Sequence, residues 1–322
     1  MENNKKQQVV KLGKLYKDED WKGYESKSVI PIGAETETHN LVGVLEEGFN
    51  FLLGGRTGSG KSNFFHCAIV SLLRKTSTKD LEFILIDPKR VELLVYKNLP
   101  NLLYPVIERT EDARKALDWC VHEIDRRLGL FSKEGNMSLE AYNREPSNKL
   151  PRILIVIDEC SDLLAQDHEF FEQAISYIAK AGRYTGINIL IGTSRPSPED
   201  VYTKKIVDSF LYRIAFQTAR AEDSIAILGV AGAEKLQGNG DLLLLYPEIT
   251  VPVRAQGFYV SEEEIKKTID DVENQSAKFK PESLLFKFLW KYFPGVIISI
   301  GKAFQRRAER KEKEEINIRY HF

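Results

Sequence analysis

An apolar strand, a glycine-rich turn and the start of a helix follow one another in the stretch Phe51-Leu52-Leu53-Gly54-Gly55-Arg56-Thr57-Gly58-Ser59-Gly60-Lys61-Ser62. This order of elements is the structural context that a nucleotide-binding P-loop requires. The fixed positions of that motif are filled by Gly55, Gly60, Lys61 and Ser62. A chance match of a glycine-rich turn is the alternative, and the flanking strand and helix argue against it.

The residue types of this turn match the chemistry of a bound triphosphate. Glycines allow backbone N–H groups to wrap phosphate oxygens, and the helix N-terminus adds positive partial charge. Lys61 can reach the β- and γ-phosphates, and the Ser62 hydroxyl can bind Mg²⁺. The expected cofactors are therefore a nucleoside triphosphate and Mg²⁺. The expected nucleotide-binding residues of the turn are Gly55, Arg56, Thr57, Gly58, Ser59, Gly60, Lys61 and Ser62.

A second apolar run ends in a pair of carboxylates. Residues 153–157 are all aliphatic, which is typical of a strand buried on both faces of a parallel sheet. Asp158 and Glu159 follow directly, at the strand end where open α/β sheets bind ligands. Asp158 is therefore predicted to hold Mg²⁺, and Glu159 to orient the attacking water as the catalytic base. A strand end capped by two solvated acids is the structural alternative.

Length, charge and cysteine content narrow the class of protein. The chain has 322 residues, 43% of them hydrophobic, which is enough for one large α/β domain with additional segments. With a net charge of −1, contact with nucleic acid would depend on local basic patches. Cys67, Cys120 and Cys160 are typical of core residues in a reducing compartment. Because no signal peptide or apolar stretch of spanning length is present, we expect a cytoplasmic protein, at most peripheral at a membrane.

Strands and helices are predicted to alternate through the middle of the chain. Further apolar segments predict strands at 29–33, 41–44, 82–87, 187–193, 212–218, 241–246 and 253–260. Helical periodicity predicts helices from the P-loop to about residue 75, at 111–131 and at 170–183, with a loop or hairpin at 132–151. This alternation predicts the α/β class with a mostly parallel, helix-covered sheet. The predicted segments are a flexible or partly helical arm at 1–24, a domain with a β-rich entry at 25–272, and a helical tail at 273–322.

The predicted tail is basic and aromatic. Between Lys278 and Lys313, ten lysines and arginines stand against three acids. This composition is typical of a surface that contacts DNA, a membrane face or a partner protein. A helical pair packed on the domain, with its charged groups in water, has the same composition, so both interpretations stay open. The interleaved aromatic residues are Phe286, Phe288, Trp290, Tyr292 and Phe293.

A series of short motifs resembles the motor domain of the FtsK/SpoIIIE double-stranded DNA translocases. The most specific is Asp87-Pro88-Lys89, followed two residues later by Glu92-Leu93. The likeness spans about residues 29–272 in the order and spacing of the family. Its other motifs include Ala181-Gly182-Arg183, Thr193-Ser194-Arg195-Pro196-Ser197, Arg213-Ile214-Ala215-Phe216-Gln217, Gly238-Asn239-Gly240-Asp241 and Pro252-Val253-Arg254-Ala255-Gln256-Gly257.

The resemblance implies a RecA-like P-loop ATPase motor over residues 25–272, which assembles into a homo-hexameric ring and moves duplex DNA through its channel. In that family the arginine before Ile-Ala-Phe acts on the nucleotide of the neighbouring subunit, so Arg213 is the candidate arginine finger and a third catalytic residue beside Lys61 and Glu159. A guanidinium supplied in trans would neutralise charge on the transferred phosphoryl group. An ordinary surface ion pair is the alternative for Arg213.

The same resemblance implies roles for two residues near the end of the domain. Arg254 matches a family arginine at a subunit interface or near the nucleotide. The loop 232–240 matches a loop that faces the channel, in which Lys235 is the candidate DNA contact. A ring of such lysines would hold the phosphate backbone without reading its sequence.

The chain also departs from the family pattern. Ser194 stands where the family usually has glutamine, so the role of sensing the nucleotide and its attacking water would pass to Thr193 or Ser194. Residues 166–169 are acidic where the family commonly has a basic turn, so we do not expect DNA contact there. The sequence shows neither a large membrane-spanning part nor a compact winged-helix pattern. We therefore expect a trimmed motor that serves DNA transfer, segregation or packaging for a plasmid, conjugative element or phage, with the tail as a site for an element-encoded partner.

Two alternative functions belong to other classes. The first is a protein-secretion ATPase of the same lineage, although such motors typically carry several ATPase domains and a membrane anchor. The second is a DNA-binding assembly factor that ATP switches during plasmid partition or replication. Stimulation of ATP hydrolysis by linear duplex separates the translocase from the secretion motor, and movement along DNA separates it from the assembly factor.

Overall fold

The structure is a computed structural model, and it describes residues 9–24, 28–35, 40–145 and 149–277. Its strands are β1 (Val10–Lys11), β2 (Val29–Ala34), β3 (Asn40–Val44), β4 (Phe51–Gly54), β5 (Leu81–Ile86), β6 (Arg152–Ile157), β7 (Ile187–Thr193), β8 (Tyr212–Phe216), β9 (Asp241–Leu245), β10 (Val253–Gln256) and β11 (Phe258–Tyr259). Its α-helices are α1 (Leu12–Leu15), α2 (Glu19–Gly23), α3 (Lys61–Lys75), α4 (Thr110–Lys133), α5 (Leu139–Tyr142), α6 (Cys160–Leu164), α7 (His168–Thr185), α8 (Lys204–Val207), α9 (Ala221–Leu228) and α10 (Glu262–Ala277). The chain divides into two units, residues 1–274 and 275–322, and the first contains nearly all the described residues.

One large sheet organises the first unit. Within the described ranges, nine strands follow the order β3-β2-β10-β9-β8-β4-β7-β6-β5. Strands β5, β6, β7, β4 and β8 run parallel, whereas β9, β10, β2 and β3 extend the sheet with antiparallel pairings. The predicted α/β fold with a largely parallel, helix-covered sheet is confirmed. The predicted β-rich entry corresponds to β2 and β3, which form one edge of the same sheet.

Helices bury both faces of the central strands. Along β4, Phe51 and Leu53 pack on the side of α3, whereas Leu52 packs with residues of α4, α7 and α9 on the other side. Successive side chains of a strand point to opposite faces. Burial on both faces therefore requires unbroken apolar runs such as those of β4 and β6, whose residues are all buried.

The register of the parallel strands brings their carboxyl ends to one edge of the sheet. Gly54 at the end of β4 lies opposite Thr193 of β7 and Ala215 of β8. Ile157 at the end of β6 lies opposite Ile191 of β7. The segments that follow these strands therefore meet at this edge, and they include the P-loop and the Asp158-Glu159 pair.

The segment predicted as an arm packs on the domain from residue 10 onward. Strand β1 pairs in parallel with β11, and Leu12, Leu15 and Trp21 are buried in the main core. The Tyr16 hydroxyl lies 3.1 Å from Ser71 Oγ on α3. These apolar residues are scattered among charged ones and form no regular repeat. Their burial comes from contacts with segments far away in the sequence, which a local pattern cannot predict.

Two further segments differ from the sequence predictions. The predicted loop at 132–151 contains the short helix α5, which Ser138 caps by accepting a hydrogen bond from the Ala141 amide at 3.3 Å. The predicted strand at 253–260 is divided at Gly257 into β10, which pairs with β9 and β2, and β11, which pairs with β1. Gly257 interrupts the strand because its N–H donates to the Gly240 carbonyl at 2.8 Å.

The basic tail predicted at 278–313 lies outside the described residues. Among the residues that the structure covers, no helix combines the length and the apolar character that crossing a membrane requires.

Candidate nucleotide-binding site

Three glycines determine the backbone path of the P-loop. Gly55, Gly58 and Gly60 have φ angles of 151°, 76° and 121°, in the region that other residues rarely adopt. At Gly60 a Cβ atom would also lie 2.7 Å from Cα of Gly240, so only glycine fits. At Gly58 a Cβ atom would meet nothing within 4 Å, so the turn is open to a ligand at this point.

The loop leads directly into the N-terminus of α3. The first amide groups of a helix have no intrahelical acceptor, and the helix dipole adds positive partial charge there. Within the loop, Ser59 Oγ is buried and has no hydrogen-bond partner among the described residues. A phosphate oxygen or an ordered water would satisfy such a hydroxyl. The loop therefore fits a phosphate chain by its shape, its amides and its unsatisfied hydroxyl.

Lys61 turns back under this loop. Its Nζ donates to the carbonyl oxygen of Gly55 at 2.6 Å and to that of Arg56 at 3.3 Å. Burial lowers the pKa of Lys61, while the carboxylates of Glu159 and Asp158 act in the opposite direction. Lys61 begins α3 directly after the P-loop, and strand register brings the end of β6 to the same edge of the sheet, so Lys61 and the Asp158-Glu159 pair are within electrostatic range of each other.

Asp158 and Ser62 lie in one acidic neighbourhood. Burial raises the pKa of Asp158 to about 6, and the nearby carboxylates of Asp87 and Glu92 add to the effect. Ser62, the second residue of α3, lies close enough to Glu92 to help lower the pKa of that carboxylate, an effect in which His66 has the largest part. Mg²⁺ in nucleotide sites takes one or two protein oxygens and completes its shell with phosphate and water oxygens. The Ser62 hydroxyl and the Asp158 carboxylate fit that donor set, although no cluster of three or more His, Cys, Asp or Glu ligands occurs in the described part of the chain.

The Glu159 carboxylate is enclosed by hydrogen-bond donors. Oε2 accepts from Lys89 Nζ at 2.7 Å and from Ser194 Oγ at 2.6 Å. Oε1 accepts from Ser161 Oγ at 2.8 Å and from Thr193 Oγ1, and the Ser194 amide lies 3.1 Å from both oxygens. Burial alone would raise the pKa of Glu159, but these hydrogen bonds, led by the one from Lys89, outweigh it and lower the pKa to about 2. Glu159 is therefore an ionised carboxylate held in one orientation.

A turn built around Asp87 places Lys89 beside Glu159. The buried Asp87 carboxylate accepts hydrogen bonds from the amides of Arg90, Glu92 and Leu93, each at 2.9 Å. These bonds fold the segment after β5 into a tight turn, in which Arg90 has a φ of 62°. The turn directs Lys89 toward the neighbouring strand end, where its ammonium meets Glu159.

The structure thus brings together most of the residues predicted for the nucleotide site. The P-loop, Lys61, Ser62 and Asp158-Glu159 share one edge of the sheet. Ser194 also lies there, bonded to Glu159 rather than to the loop.

Arg213 lies apart from these groups. On β8 it is opposite Leu52 of β4, two residues before the level of Gly54. Its Nη1 donates to the Ile227 carbonyl at 3.4 Å, and its Nε is buried without a partner among the described residues. Burial lowers the pKa of Arg213. Because Arg213 precedes the strand end where the P-loop begins, its role at a neighbouring subunit stays a prediction.

Arg254 and Lys235 also lie outside the P-loop. Arg254 on β10 donates to both carboxylate oxygens of Asp241, at 3.0 and 2.7 Å. Lys235 is exposed on a single 3-10 turn, Ala233–Lys235. The acidic turn at 166–169 has a structural role, because Asp167 caps α7 and pairs with Arg114.

Sequence reasoning assigned no role to Lys89, Asp87 or Glu92. All three belong to the Asp-Pro-Lys motif and its following Glu-Leu, which served only as a family signature. Their position after the buried strand β5 could have indicated a role in the site, because ligands bind at such strand ends in α/β sheets. Which group each charge would face depends on strand register, which the motif does not contain.

Together, the fold and the site define a P-loop ATPase domain of the RecA-like α/β type. The chain belongs to the FtsK/SpoIIIE family, whose family model matches residues 11–198.

Comparison with known proteins gives the degree of similarity. The chain is 36% identical over 292 residues to the DNA translocase FtsK of Oceanobacillus iheyensis, covering 87% of this chain and 37% of the relative. It is 36% identical over 289 residues to the DNA translocase SftA of Bacillus subtilis, covering 88% of this chain and 30% of the relative. The chain therefore spans about a third of the length of these relatives.

Solved structures show the same fold. TcpA, the conjugation coupling protein of pCW3, in its monomer form with ATPγS, superposes with a TM-score of 0.69 at 27% identity, over 78% of this chain and 71% of TcpA. The cytoplasmic domain of the type VII secretion ATPase EccC from Thermomonospora curvata superposes with a TM-score of 0.65 at 24% identity, over 76% of this chain and 31% of EccC. At that identity the second match bears on the fold alone.

Proposed function

We propose that this protein hydrolyses ATP with Mg²⁺ and uses the energy to move double-stranded DNA. The observation that carries the proposal is that the P-loop with Lys61 and the Asp158-Glu159 pair follow β4 and β6 at the same edge of the sheet, in a FtsK/SpoIIIE-family domain. The names of the relatives, which are DNA translocases, support DNA as the substrate. The ATPγS in the TcpA structure supports the nucleotide.

In this proposal the residues of the site divide the work. The glycine-rich turn and the first amides of α3 bind the phosphate chain, and Lys61 leaves the Gly55 and Arg56 carbonyls to contact the terminal phosphates. Ser62 and Asp158 would hold Mg²⁺, which would supply positive charge to offset that of the phosphate chain. Glu159 orients the attacking water and takes its proton.

Assembly into a ring is the second part of the proposal. A homo-hexamer would place Arg213 of one subunit at the nucleotide of the next, where it would stabilise the charge of the transferred group. The half-buried guanidinium, with its Nε unpaired among the described residues, is consistent with a group that gains partners on assembly. Arg254 is bonded to Asp241, the residue after Gly240, which packs against Gly60 of the P-loop. Arg254 is therefore proposed to lie near the interface between subunits.

DNA contact is proposed for the exposed turn that carries Lys235. Lysines repeated around a ring would neutralise phosphates without reading base sequence, and binding would weaken steeply with salt. The basic tail at 278–313 is a further candidate for contact with DNA, a membrane surface or an element-encoded partner.

A mobile genetic element is the proposed biological setting. The similarity to TcpA, whose name describes a conjugation coupling protein of pCW3, supports DNA transfer over chromosome segregation. The secretion ATPase and the ATP-switched assembly factor are the competing functions.

The decisive experiment measures ATP hydrolysis by the full chain with and without linear duplex, together with displacement of a third strand from a triplex by the moving protein. We expect duplex to raise turnover severalfold and the third strand to be displaced only when ATP is hydrolysed. Lys61→Ala is the control, since it removes the ammonium from the phosphate site and should abolish both signals. Turnover that does not respond to duplex in an assembled ring would reject the translocase. Stimulation by duplex without displacement would favour the assembly factor.

A further inference from the structure

The Glu159 carboxylate has no acceptor site left for water. Each carboxylate oxygen offers about two lone-pair sites. Lys89 Nζ and Ser194 Oγ occupy those of Oε2, Ser161 Oγ and Thr193 Oγ1 occupy those of Oε1, and the Ser194 amide is shared between the two oxygens at 3.1 Å. A catalytic base needs a free lone pair within hydrogen-bond distance of the proton it takes. At least one of these donors must therefore leave before Glu159 can activate water.

Among these donors Lys89 is the one free to move. Thr193 is the last residue of β7, Ser194 follows it directly, and Ser161 lies in the first turn of α6, so the backbone of each is held in regular structure or next to it. The Lys89 side chain is 42% exposed, against 4% for Glu159. A lysine ammonium on its four-carbon stem can swing away without any shift of the backbone.

A second carboxylate lies within electrostatic reach of Lys89. Asp162 on α6 attracts the Lys89 ammonium in addition to Glu159. Asp162 lines an open depression of the surface together with Pro88, the residue before Lys89. The ammonium thus has a second carboxylate within electrostatic range, at an open part of the surface.

We propose that Lys89 is a positioning residue that holds Glu159 in a resting geometry, and that it moves toward Asp162 when the site becomes competent for hydrolysis. This inference rests on the proposed ATPase function, and it adds a control on when the base acts. In the resting geometry Lys89 occupies an acceptor site on Oε2 of Glu159, so the attacking water cannot bind there. When Lys89 leaves, Oε2 of Glu159 regains the acceptor site that the water needs, while Thr193, Ser161 and Ser194 keep the carboxylate oriented. Stimulation by duplex would then act partly by favouring this departure.

The variant Lys89→Met tests the inference, because it removes the donor and keeps the length of the side chain. We expect turnover without DNA to rise about tenfold, since a charge-assisted hydrogen bond no longer has to open before hydrolysis. Turnover with DNA should stay near the wild-type value, so the stimulation ratio falls by the same factor. ATP affinity should stay within about threefold of wild type, since no hydrogen bond links Lys89 to the P-loop among the described residues. Lys89→Arg, which keeps a charged donor, should restore the low basal rate.

Asp162→Asn is the matched variant with the opposite expectation. Loss of the alternative carboxylate should leave Lys89 on Glu159 and lower DNA-stimulated turnover severalfold, with unchanged thermal stability. The double variant Lys89→Met/Glu159→Gln should show no basal turnover, which confirms that the increase passes through Glu159.

The outcomes separate this inference from the proposed function. If wild-type turnover responds to duplex but Lys89→Met lowers the basal rate or leaves it unchanged, the resting role of Lys89 is wrong and the translocase stands. If wild-type turnover ignores duplex, the proposed function fails, yet a raised basal rate in Lys89→Met still supports the blocked geometry. Should Lys89→Met fail to fold, the Asp162→Asn variant decides, since a stimulated rate equal to wild type would overturn the proposal.

Discussion

The backbone N–H of Gly240 donates to the carbonyl oxygen of Ser59 at 2.9 Å, which joins the P-loop directly to the turn that precedes β9. The same region is so tightly packed that a Cβ atom on Gly60 would lie 2.7 Å from Cα of Gly240. The turn begins at Gly238, three residues after Lys235, the candidate DNA contact. A shift of the P-loop backbone on nucleotide binding would therefore reach the proposed DNA-binding loop through a single hydrogen bond.

Gly240→Ala should disturb nucleotide binding although Gly240 is outside the P-loop motif. Its φ is 87°, and the new Cβ would lie 3.0 Å from Nε2 of Gln256, which is bonded to the Asn239 carbonyl of the same turn at 2.8 Å. We therefore expect the turn to shift and weaken its bond to Ser59. We expect ATP affinity to fall about fivefold, the equivalent of one hydrogen bond of about 1 kcal/mol. A fluorescent ATP analogue gives the affinity, and thermal unfolding gives the stability.

Gly229→Ala is the matched control for this variant. Gly229 ends α9 with a φ of 78°, and a Cβ atom there would meet nothing within 4 Å. Both variants carry the same kind of backbone strain, about 1 kcal/mol, but only Gly240→Ala should alter ATP affinity. Equal affinity in both variants would argue against a mechanical link between the turn and the P-loop.

Glu159→Gln should keep ATP bound and nearly stop its hydrolysis. The amide retains the size of the carboxylate but cannot take a proton, and general-base catalysis contributes about a hundredfold or more. Single-turnover hydrolysis and ATP affinity, measured on the same preparation, separate chemistry from binding. Glu111→Gln, an exposed change on α4, is the control. Wild-type turnover in Glu159→Gln would mean that another group activates the water.

Arg213→Ala should impair hydrolysis in the neighbouring subunit rather than in its own. We expect ATP affinity within about twofold of wild type and turnover lower by about a thousandfold, the usual effect of an arginine finger. When the variant is mixed with wild-type subunits, activity should fall more steeply than the wild-type fraction. Arg220→Ala, which removes only an exposed pair with Asp223, should be neutral. A linear loss of activity in the mixtures would place Arg213 outside the mechanism.

Glu123 should make stability depend on acid pH. On α4 it pairs with the buried Arg127 at 2.8 Å and with Arg126 at 2.6 Å. Burial acts to raise the pKa of Glu123, but the hydrogen bonds from both arginines outweigh it and keep the pKa below the ordinary value of 4.5. Because the pKa of Glu123 is lower in the folded state, its ionisation adds to the unfolding free energy at pH values above about 4.5. This contribution is lost as the pH falls through the folded-state pKa.

Glu123→Gln should remove this contribution. We expect a loss of about 3 kcal/mol of unfolding free energy near neutral pH, because Arg127 keeps a buried charge without its counter-ion. Below about pH 4.5 the unfolding free energy of wild type should fall more steeply than that of the variant. Urea unfolding at about pH 7 and about pH 3.5 checks both expectations. Parallel pH dependence in the two proteins would contradict the assignment of this effect to Glu123.

Local patterns were sufficient to predict the central strands and the motifs they carry. The runs that became β4, β6 and β7 are apolar because both of their faces are buried, and such runs are visible without any knowledge of the fold. The predicted helix at 111–131 is α4, Thr110–Lys133, because its apolar repeat follows its buried face. The packed segment around Trp21 escaped prediction, since single apolar residues among lysines carry no periodic signal.

The P-loop chemistry could be inferred from the order of residues because it is local. Glycine positions, Lys61 and Ser62 act within one turn of backbone, so their spacing alone specifies the phosphate-binding shape. The surroundings of Glu159 follow from folding. Lys89, Ser161 and the adjacent pair Thr193-Ser194 belong to three separate segments, and the register of β5, β6 and β7 places them around one carboxylate. Hydrogen bonds between distant segments depend on strand order and register, and the residue sequence of any one motif contains neither.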